Sequence, residues 1–546
     1  LISLTSYTNN FLRSLKQEVR FKFNTWTAFA LLIGIFIFIP MGEVLWHLIE
    51  PTGNWDHLKE TVLGKYLKGS FILVLGTLSL SVFAGVSCAW LVACCEFPGR
   101  RFFEWALILP LTIPTFIAAY AYFDLIDNLT PLLIWVRLNA GPEAMMKLSE
   151  CLKYIITIMI LASVLYPYIY LMTRSAFSRQ SNQYLEASRT LGHNPVTTFW
   201  RIALPLARPA IIAGASLVMM ETLSDYGAVK HFNVPTFTTG IFRTWTGLGD
   251  LPGAMRLAAY LMLFILVILL AEKRLRSGAR YHENTNSDRP FQRYSLGKLK
   301  STLAILCCCF PLLIGFIIPV TRLGLWARTT IENNFNQSHF IKLALNSVGL
   351  AITASLVTVI TAFFLVFVAR YFNSKIINNS NRLAILGYSV PGVVIGMGII
   401  YFQGPISKNF NILITSSLLT LIFAYVVRYI AVAWQSIDSG MEKNCNHLNE
   451  ASKSLGSSPL TSLFRVNIPL LWNSVIIAGL LVLIDVIKEL PLTLILSPFN
   501  FETLSTQTFK LAQQSQIPES SIPALCIIIS ILAPVIWLNS KMKSEK

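Results

Sequence analysis

Four carboxylates stand where carboxylates are costly. Glu221 lies within, and Asp225 just past, the apolar run 206–223; Asp485 and Glu489 stand in nearly the same relation to the run 470–487. A carboxylate inside a bilayer usually faces a cavity or a partner, and its hard oxygens suit hard cations. Two readings stay open: the four line a cation path, or they pair with Lys488 and cap helix ends at the membrane boundary. Other chemistry is poorly represented. There is no His-Glu-x-x-His, no clustered Cys/His set, no serine-triad pattern and no Gly-x-x-x-x-Gly-Lys-Ser/Thr loop to cradle ATP phosphates. The nine cysteines include no CxxC pair and read as packing thiols, with Cys445 alone in a polar loop. His193, His231 and His447 read as surface loop residues, and Arg428, about two turns from one end of its apolar run, as a snorkelling side chain rather than a gating or pairing one.

The elements that must position these groups are membrane helices. Of 546 residues, 54% are hydrophobic and 13% charged, about half the charged share of a soluble chain, which excludes an ordinary soluble enzyme. Runs of about 20 apolar residues, enough to span a bilayer, occur at 26–48, 69–95, 104–123, 152–172, 206–223 and 252–271, and again at 301–320, 343–369, 382–402, 411–434, 470–487 and 521–538. The run from Trp26 has no small-residue cleavage site after it and is expected to stay as a helix. With the N-terminus inside, 28 of the 44 Lys and Arg fall on the inner side, 15 on the outer, and Arg428 within a span. That bias places both termini in the cytoplasm, and it reads the net charge of +17 as topology, with no nucleic-acid partner. The division expected is a first repeat of six helices over 1–271, a cytoplasmic linker over 272–300 carrying eight of the inner charges, and a second repeat over 301–546.

One internal repeat stands out. The segment Glu186-Ala-Ser-Arg-Thr-Leu-Gly-His-Asn-Pro-Val-Thr-Thr-Phe-Trp-Arg-Ile-Ala-Leu-Pro-Leu206 matches Glu450-Ala-Ser-Lys-Ser-Leu-Gly-Ser-Ser-Pro-Leu-Thr-Ser-Leu-Phe-Arg-Val-Asn-Ile-Pro-Leu470 at ten of 21 positions without a gap. Both copies fall between the fourth and fifth runs of their half, so the halves share one orientation and form a parallel repeat. In the first copy Gly192 suits the left-handed residue that ends a helix, and Asn194 with Pro195 starts the next. Val196, Phe199, Trp200 and Ala203 then recur at helical spacing, as do Leu460, Leu463 and Phe464. Such a short amphipathic helix could lie on the lipid surface; twice in register, it reads as two equivalent docking knobs.

At these residues the chain resembles the permease subunits of binding-protein-dependent ATP-binding-cassette importers. Their signature, Glu-Ala-Ala, three residues, Gly, nine residues, Ile-x-Leu-Pro, reads here Glu186-Ala187-Ser188, Gly192, Ile202-Ala203-Leu204-Pro205, and again Glu450-Ala451-Ser452, Gly456, Val466-Asn467-Ile468-Pro469. Both copies put Ser for the third Ala, and the second softens Ile and Leu to Val and Ile. The resemblance covers almost the whole chain, and the segments Glu221 to Val229, Val234 to Trp245, Asp485 to Thr493 and Pro498 to Leu504 resemble those of the fused ferric iron permeases, with thiamine and putrescine permeases as near relatives.

The resemblance implies an all-α transmembrane fold of about 12 helices in two parallel six-helix repeats, the type I importer (MetI-like) permease fold. It implies that Glu186, Ala187, Gly192 and Pro205, with Glu450, Ala451, Gly456 and Pro469, form loops that couple to a separate ATPase. The chain itself then binds no cofactor; ATP-Mg sits on two copies of the partner ATPase, and a periplasmic ferric-binding protein delivers the ion. The setting is a bacterial inner membrane, with lipid around the helices. Glu221, Asp225, Asp485 and Glu489 become the candidate ion pathway, without a tight metal site, because a transporter must let its ion go. The competing layout is a secondary transporter of twelve spans in two parallel halves, for which only the loop Phe97-Pro-Gly-Arg-Arg101 speaks; a membrane-embedded enzyme lacks any catalytic constellation.

Overall fold

The structure, a computed structural model, describes residues 24–48, 55–179, 188, 190–276, 293–332, 337–372, 374–410, 414, 416–444 and 446–544. Among them, nine helices are long and apolar enough to cross a membrane. Two further bent pairs, Arg100–Thr112 with Thr115–Ala121 and Ile376–Ser389 with Gly392–Phe410, coincide with the expected runs 104–123 and 382–402, and the shorter apolar helix Ser521–Trp537 with the last. Every expected run is thus helical over most of its described length, the run 411–434 from Leu418 onward, but the third of each half is broken, by 92° and 117°.

The breaks have one cause. A proline disfavours helical backbone at the residue before it, and Ile113 before Pro114 (φ −96°, ψ 118°) and Val390 before Pro391 (φ −91°, ψ 129°) are both extended. A four-residue 3-10 turn precedes each, Leu109–Thr112 and Leu386–Ser389, and the helix resumes on the far side at Thr115 and at Gly392.

Packing divides the chain into two compact units, neither of them contiguous: residues 1–50 with 338–503, and residues 51–337 with 504–546. In the former, the helix Thr25–Trp46 lies on Gly392–Phe410. Trp26 stacks on Phe364 at 5.9 Å, Phe36 meets Phe423 at 4.7 Å, and Gly398 lets the backbone at Pro40 approach so closely that a Cβ would strike its carbonyl. Lipid is as apolar as a leucine side chain, so close approach at small residues is what holds such helices together. In the latter unit, Lys298–Leu312 and Ile318–Glu332 pack on the helices of the first half: Tyr122 Oη donates to the Ile314 carbonyl at 2.7 Å, and Arg322 pairs with Asp124. Each unit therefore takes the first span of the other half of the sequence, and the latter unit also takes the last helix, Ser521–Ser544.

The expected linker 272–300 is described only at its ends. The span Leu251–Arg276 runs into it. At the far end, Tyr294–Ser295 forms a short parallel bridge with Cys95–Glu96, and Trp90 lies 6.3 Å from Tyr294.

Candidate functional site

Two loops and two buried carboxylates recur at equivalent places. In the first loop Glu186 and Ala187 lie outside the described residues. From Ser188 onward the bracket is as expected: Gly192 is left-handed (φ +80°), His193 N–H donates to the Ser188 carbonyl at 3.0 Å, and the Asn194 side chain caps Thr197 N–H at 2.7 Å ahead of Pro195. Ser188, which stands where the importer signature has Ala, buries its hydroxyl against Thr198 Oγ1 at 2.8 Å. In the second loop the helix Asn446–Ser454 carries Glu450 and Ala451. Gly456 is again left-handed (φ +74°), Ser457 N–H donates to the Ser452 carbonyl at 3.1 Å, and Ser458 caps Thr461 N–H at 3.2 Å. Here Asn467, not a threonine, ties the turn, donating to Asn449 Oδ1 at 2.9 Å.

The helical stripe of each loop splits between two faces. Phe199 turns inward, 5.1 Å from Trp90, and Ala203 is buried, whereas Leu191, Val196 and Trp200 are 75%, 66% and 63% exposed. Their equivalents Leu455, Leu460 and Phe464 are 85%, 54% and 61% exposed. Large apolar side chains are thus held outward at matching positions of the two loops. The second loop is moored to the helix Gln337–Phe372 by Lys453, whose ammonium lies 4.1 Å over the Tyr371 ring and donates to the Tyr371 carbonyl; partial burial lowers its pKa.

Both loops enter the membrane through a π-helical turn, Phe199–Ala203 and Leu463–Asn467, each ending two residues before a proline, Pro205 and Pro469. Proline has no N–H for the carbonyl four residues back and collides with it, so the turn widens by one residue. The turn Leu313–Ile317 stands in the same relation to Pro319.

At the other end of these helices the carboxylates do structural work. Asp225 ends the helix Leu204–Ser224; its Oδ1 accepts from Ala228 and Val229 N–H, both at 3.1 Å, capping the short helix Gly227–His231. Its Oδ2 accepts from the Thr115 hydroxyl, at the break in the third span. Glu489 ends Ile468–Lys488 in the same way, its Oε1 capping Pro491–Leu496 through Leu492 N–H at 3.1 Å. Its Oε2 accepts from Tyr429 Oη at 2.8 Å and lies 3.5 Å from Arg428 Nη2. Gly392, which follows the break as Thr115 does, leaves that room: a Cβ there would meet Arg428 Nη1, and Glu489 Oε1 at 2.7 Å.

One turn back on the same helices, Glu221 is half-buried and Asp485 pairs with Lys488 at 2.7 Å. The sequence thus brings Glu221 and Asp225 together in one unit and Asp485 and Glu489 in the other, and capping and lysine pairing account for much of what they do. Among the described residues no group of three or more His, Cys, Asp or Glu is placed to hold a metal ion.

Two expectations are corrected. Arg428 does not snorkel: its side chain is 10% exposed and turns to Glu489, because a buried carboxylate one turn away in space competes with the distant interface. His231 is no free surface residue; it closes Gly227–His231, 5.1 Å from the Tyr120 ring. Thr115, Gly392 and Tyr429 escaped the sequence reading altogether. Their signal is faint: a proline closing an apolar run just before Thr115 and Gly392, and a tyrosine beside a membrane arginine.

Comparison with known proteins agrees with this geometry. A family described as "Binding-protein-dependent transport system inner membrane component" matches residues 81–272 and 363–542, one match to each repeat. The chain is 28% identical over 520 residues to the "Fe(3+)-transport system permease protein FbpB 2" of Haemophilus influenzae, covering 94% of this chain and 97% of that one. It is 25% identical over 229 residues to the "Probable sulfate transport system permease protein cysT" of Marchantia polymorpha, covering 39% of this chain and 74% of that one. To the "Sulfate transport system permease protein CysT" of Escherichia coli it is 23% identical over 203 residues, covering 36% and 70%. With both repeats matched across most of its length, the chain belongs to the inner-membrane components of binding-protein-dependent transport systems.

Proposed function

We propose that the chain is the permease of an ATP-driven importer that carries ferric iron into the cytoplasm. The observation that carries the substrate is the end-to-end similarity to a ferric permease, where the sulfate permeases match about a third of the chain. The chain has no Walker loop, so ATP-Mg is bound by two copies of a separate ATPase, one at each of the loops that carry Gly192 and Gly456. A periplasmic ferric-binding protein releases the ion at the opposite face. The Lys and Arg bias supports an inner-membrane orientation with both loops and both termini in the cytoplasm. Closure of the ATPases on ATP draws the loops together, and ATP and binding protein drive the switch by their different affinities for the two states.

Within each unit we assign one carboxylate, Glu221 or Asp485, to the ion, and the other, Asp225 or Glu489, to holding the short helix and the broken third span of its own unit. Uptake of radiolabelled ferric iron in cells lacking the gene, complemented by the parent or by a Gly192→Val/Gly456→Val chain, tests the reading. Uptake restored by the parent alone supports it. If uptake never depends on the gene, ferric iron falls, and thiamine, polyamine and sulfate are assayed in its place.

A further inference from the structure

Each loop is joined to the second and fourth spans of its own half, and the two joints use unrelated chemistry. In the unit of residues 51–337 and 504–546 the joint is aromatic. Trp90, one turn from the end of the helix Gly64–Cys94, lies 5.5 Å from Phe177, near the end of Pro142–Arg179, and 5.1 Å from Phe199 of the first loop. In the unit of residues 1–50 and 338–503 the joint is ionic. Arg370, two residues before the end of Gln337–Phe372, forks onto Asp438 of the helix Leu418–Asn444, Nε to Oδ1 at 2.7 Å and Nη2 to Oδ2 at 2.9 Å. The same Nη2 donates to Glu442 Oε2 at 3.4 Å. The next residue, Tyr371, takes Lys453 of the second loop on its ring and its carbonyl. The last carbonyls of a helix lack N–H partners and favour a cation nearby, so the place suits both basic groups.

The ionic joint closes a ring. From Asp438 the chain runs to Asn444 and on into the helix Asn446–Ser454, which carries Lys453 back to Tyr371. A guanidinium fork on a carboxylate fixes direction as well as distance, so the loop helix cannot tilt without moving both spans. That two unrelated sets of side chains join the same three elements points to the joint, not to either chemistry, as the requirement. We propose that Arg370 is a positioning residue for transport: through Asp438 it makes the second loop and the second and fourth spans of its half move as one body, as Trp90 does around the first loop. The proposal rests on the importer reading, in which a separate ATPase pulls on the loops.

Two measurements on the full chain test it. Without any ATPase, amide hydrogen exchange over residues 446–458 should rise about fivefold in Arg370→Met, the size of a partly exposed bidentate pair. Arg370→Lys, which keeps the charge but not the fork, should rise less, and Arg370→Met with Asp438→Asn should be no worse than Arg370→Met alone. In vesicles reassembled with the ATPase and the binding protein, the ratio of ferric iron taken up to ATP hydrolysed should fall severalfold in Arg370→Met and recover in part in Arg370→Lys. That ratio does not change with the amount of complex that folds or assembles, so a merely structural loss would leave it alone. Unchanged exchange in Arg370→Met overturns the joint, and raised exchange with an unchanged ratio overturns its part in transport. A parent chain that takes up no ferric iron under ATP overturns the importer reading, and the positioning role with it, whatever the exchange shows.

Discussion

Gly392 stands in one unit where Thr115 stands in the other, and the difference of one side chain decides how each buried carboxylate is held. Thr115 donates its hydroxyl to Asp225; Gly392 leaves a gap through which Arg428 reaches Glu489. A repeated backbone thus carries a hydrogen bond from a neutral hydroxyl on one side and an ion pair on the other.

Gly392→Ala should therefore do more harm than its single methyl suggests. The added Cβ meets the tips of Arg428 and Glu489 and must push one of them aside; since both tips can shift, the loss should stay below the roughly 3–5 kcal/mol of a buried charge stripped of its partner. Thermal unfolding of the purified chain should show a clear drop in midpoint for Gly392→Ala, against little change for Gly404→Ala, where no atom lies within 4 Å of the added methyl.

The pair itself can be weighed by a double-mutant cycle. Arg428→Met alone leaves Glu489 buried without its cation and should destabilise by about 3–5 kcal/mol, whereas Arg428→Met with Glu489→Gln should recover most of that loss. Additive losses in denaturant titrations would contradict an ion pair at this place.

Trp200→Ala with Phe464→Ala should leave the fold intact, since both side chains are more than 60% exposed, yet abolish co-purification of the ATPase. Exposed aromatics at the centre of an interface are worth about 2 kcal/mol or more each, so affinity should fall by a factor of about 30 per loop. A pull-down with the unaltered ATPase amount recovered would remove the docking role.

Gly192 and Gly456 test conformation apart from bulk. Nothing lies within 4 Å of a Cβ at either position, but both are left-handed, which costs a β-carbon about 1–2 kcal/mol. Asn, which tolerates that region, should retain more uptake than Val at both sites; equal loss would mean that a contact with the ATPase, not backbone strain, sets the requirement.

The membrane runs and the duplicated loop were legible because each is a local pattern: length of apolar sequence in one case, spacing of Glu, Gly and Pro in the other. The broken third spans were not. Pro40, Pro167, Pro209, Pro311, Pro405 and Pro534 all sit inside helices that continue through them, so a proline in an apolar run does not announce a break. Arg428 was misread because its distance from the helix end is visible in sequence and its partner, some sixty residues on, is not. The exchange of first helices left no trace either, since an apolar helix carries no mark of which bundle it will join.

That exchange sets an order of assembly. The helix Thr25–Trp46 leaves the ribosome well before the bundle that receives it, which begins only at Ser338. At about 5–20 residues per second, it waits roughly 15–60 s in the bilayer before its first native neighbour exists. Biogenesis of this permease therefore depends on keeping an early, orphaned helix from foreign partners until the second repeat has been inserted.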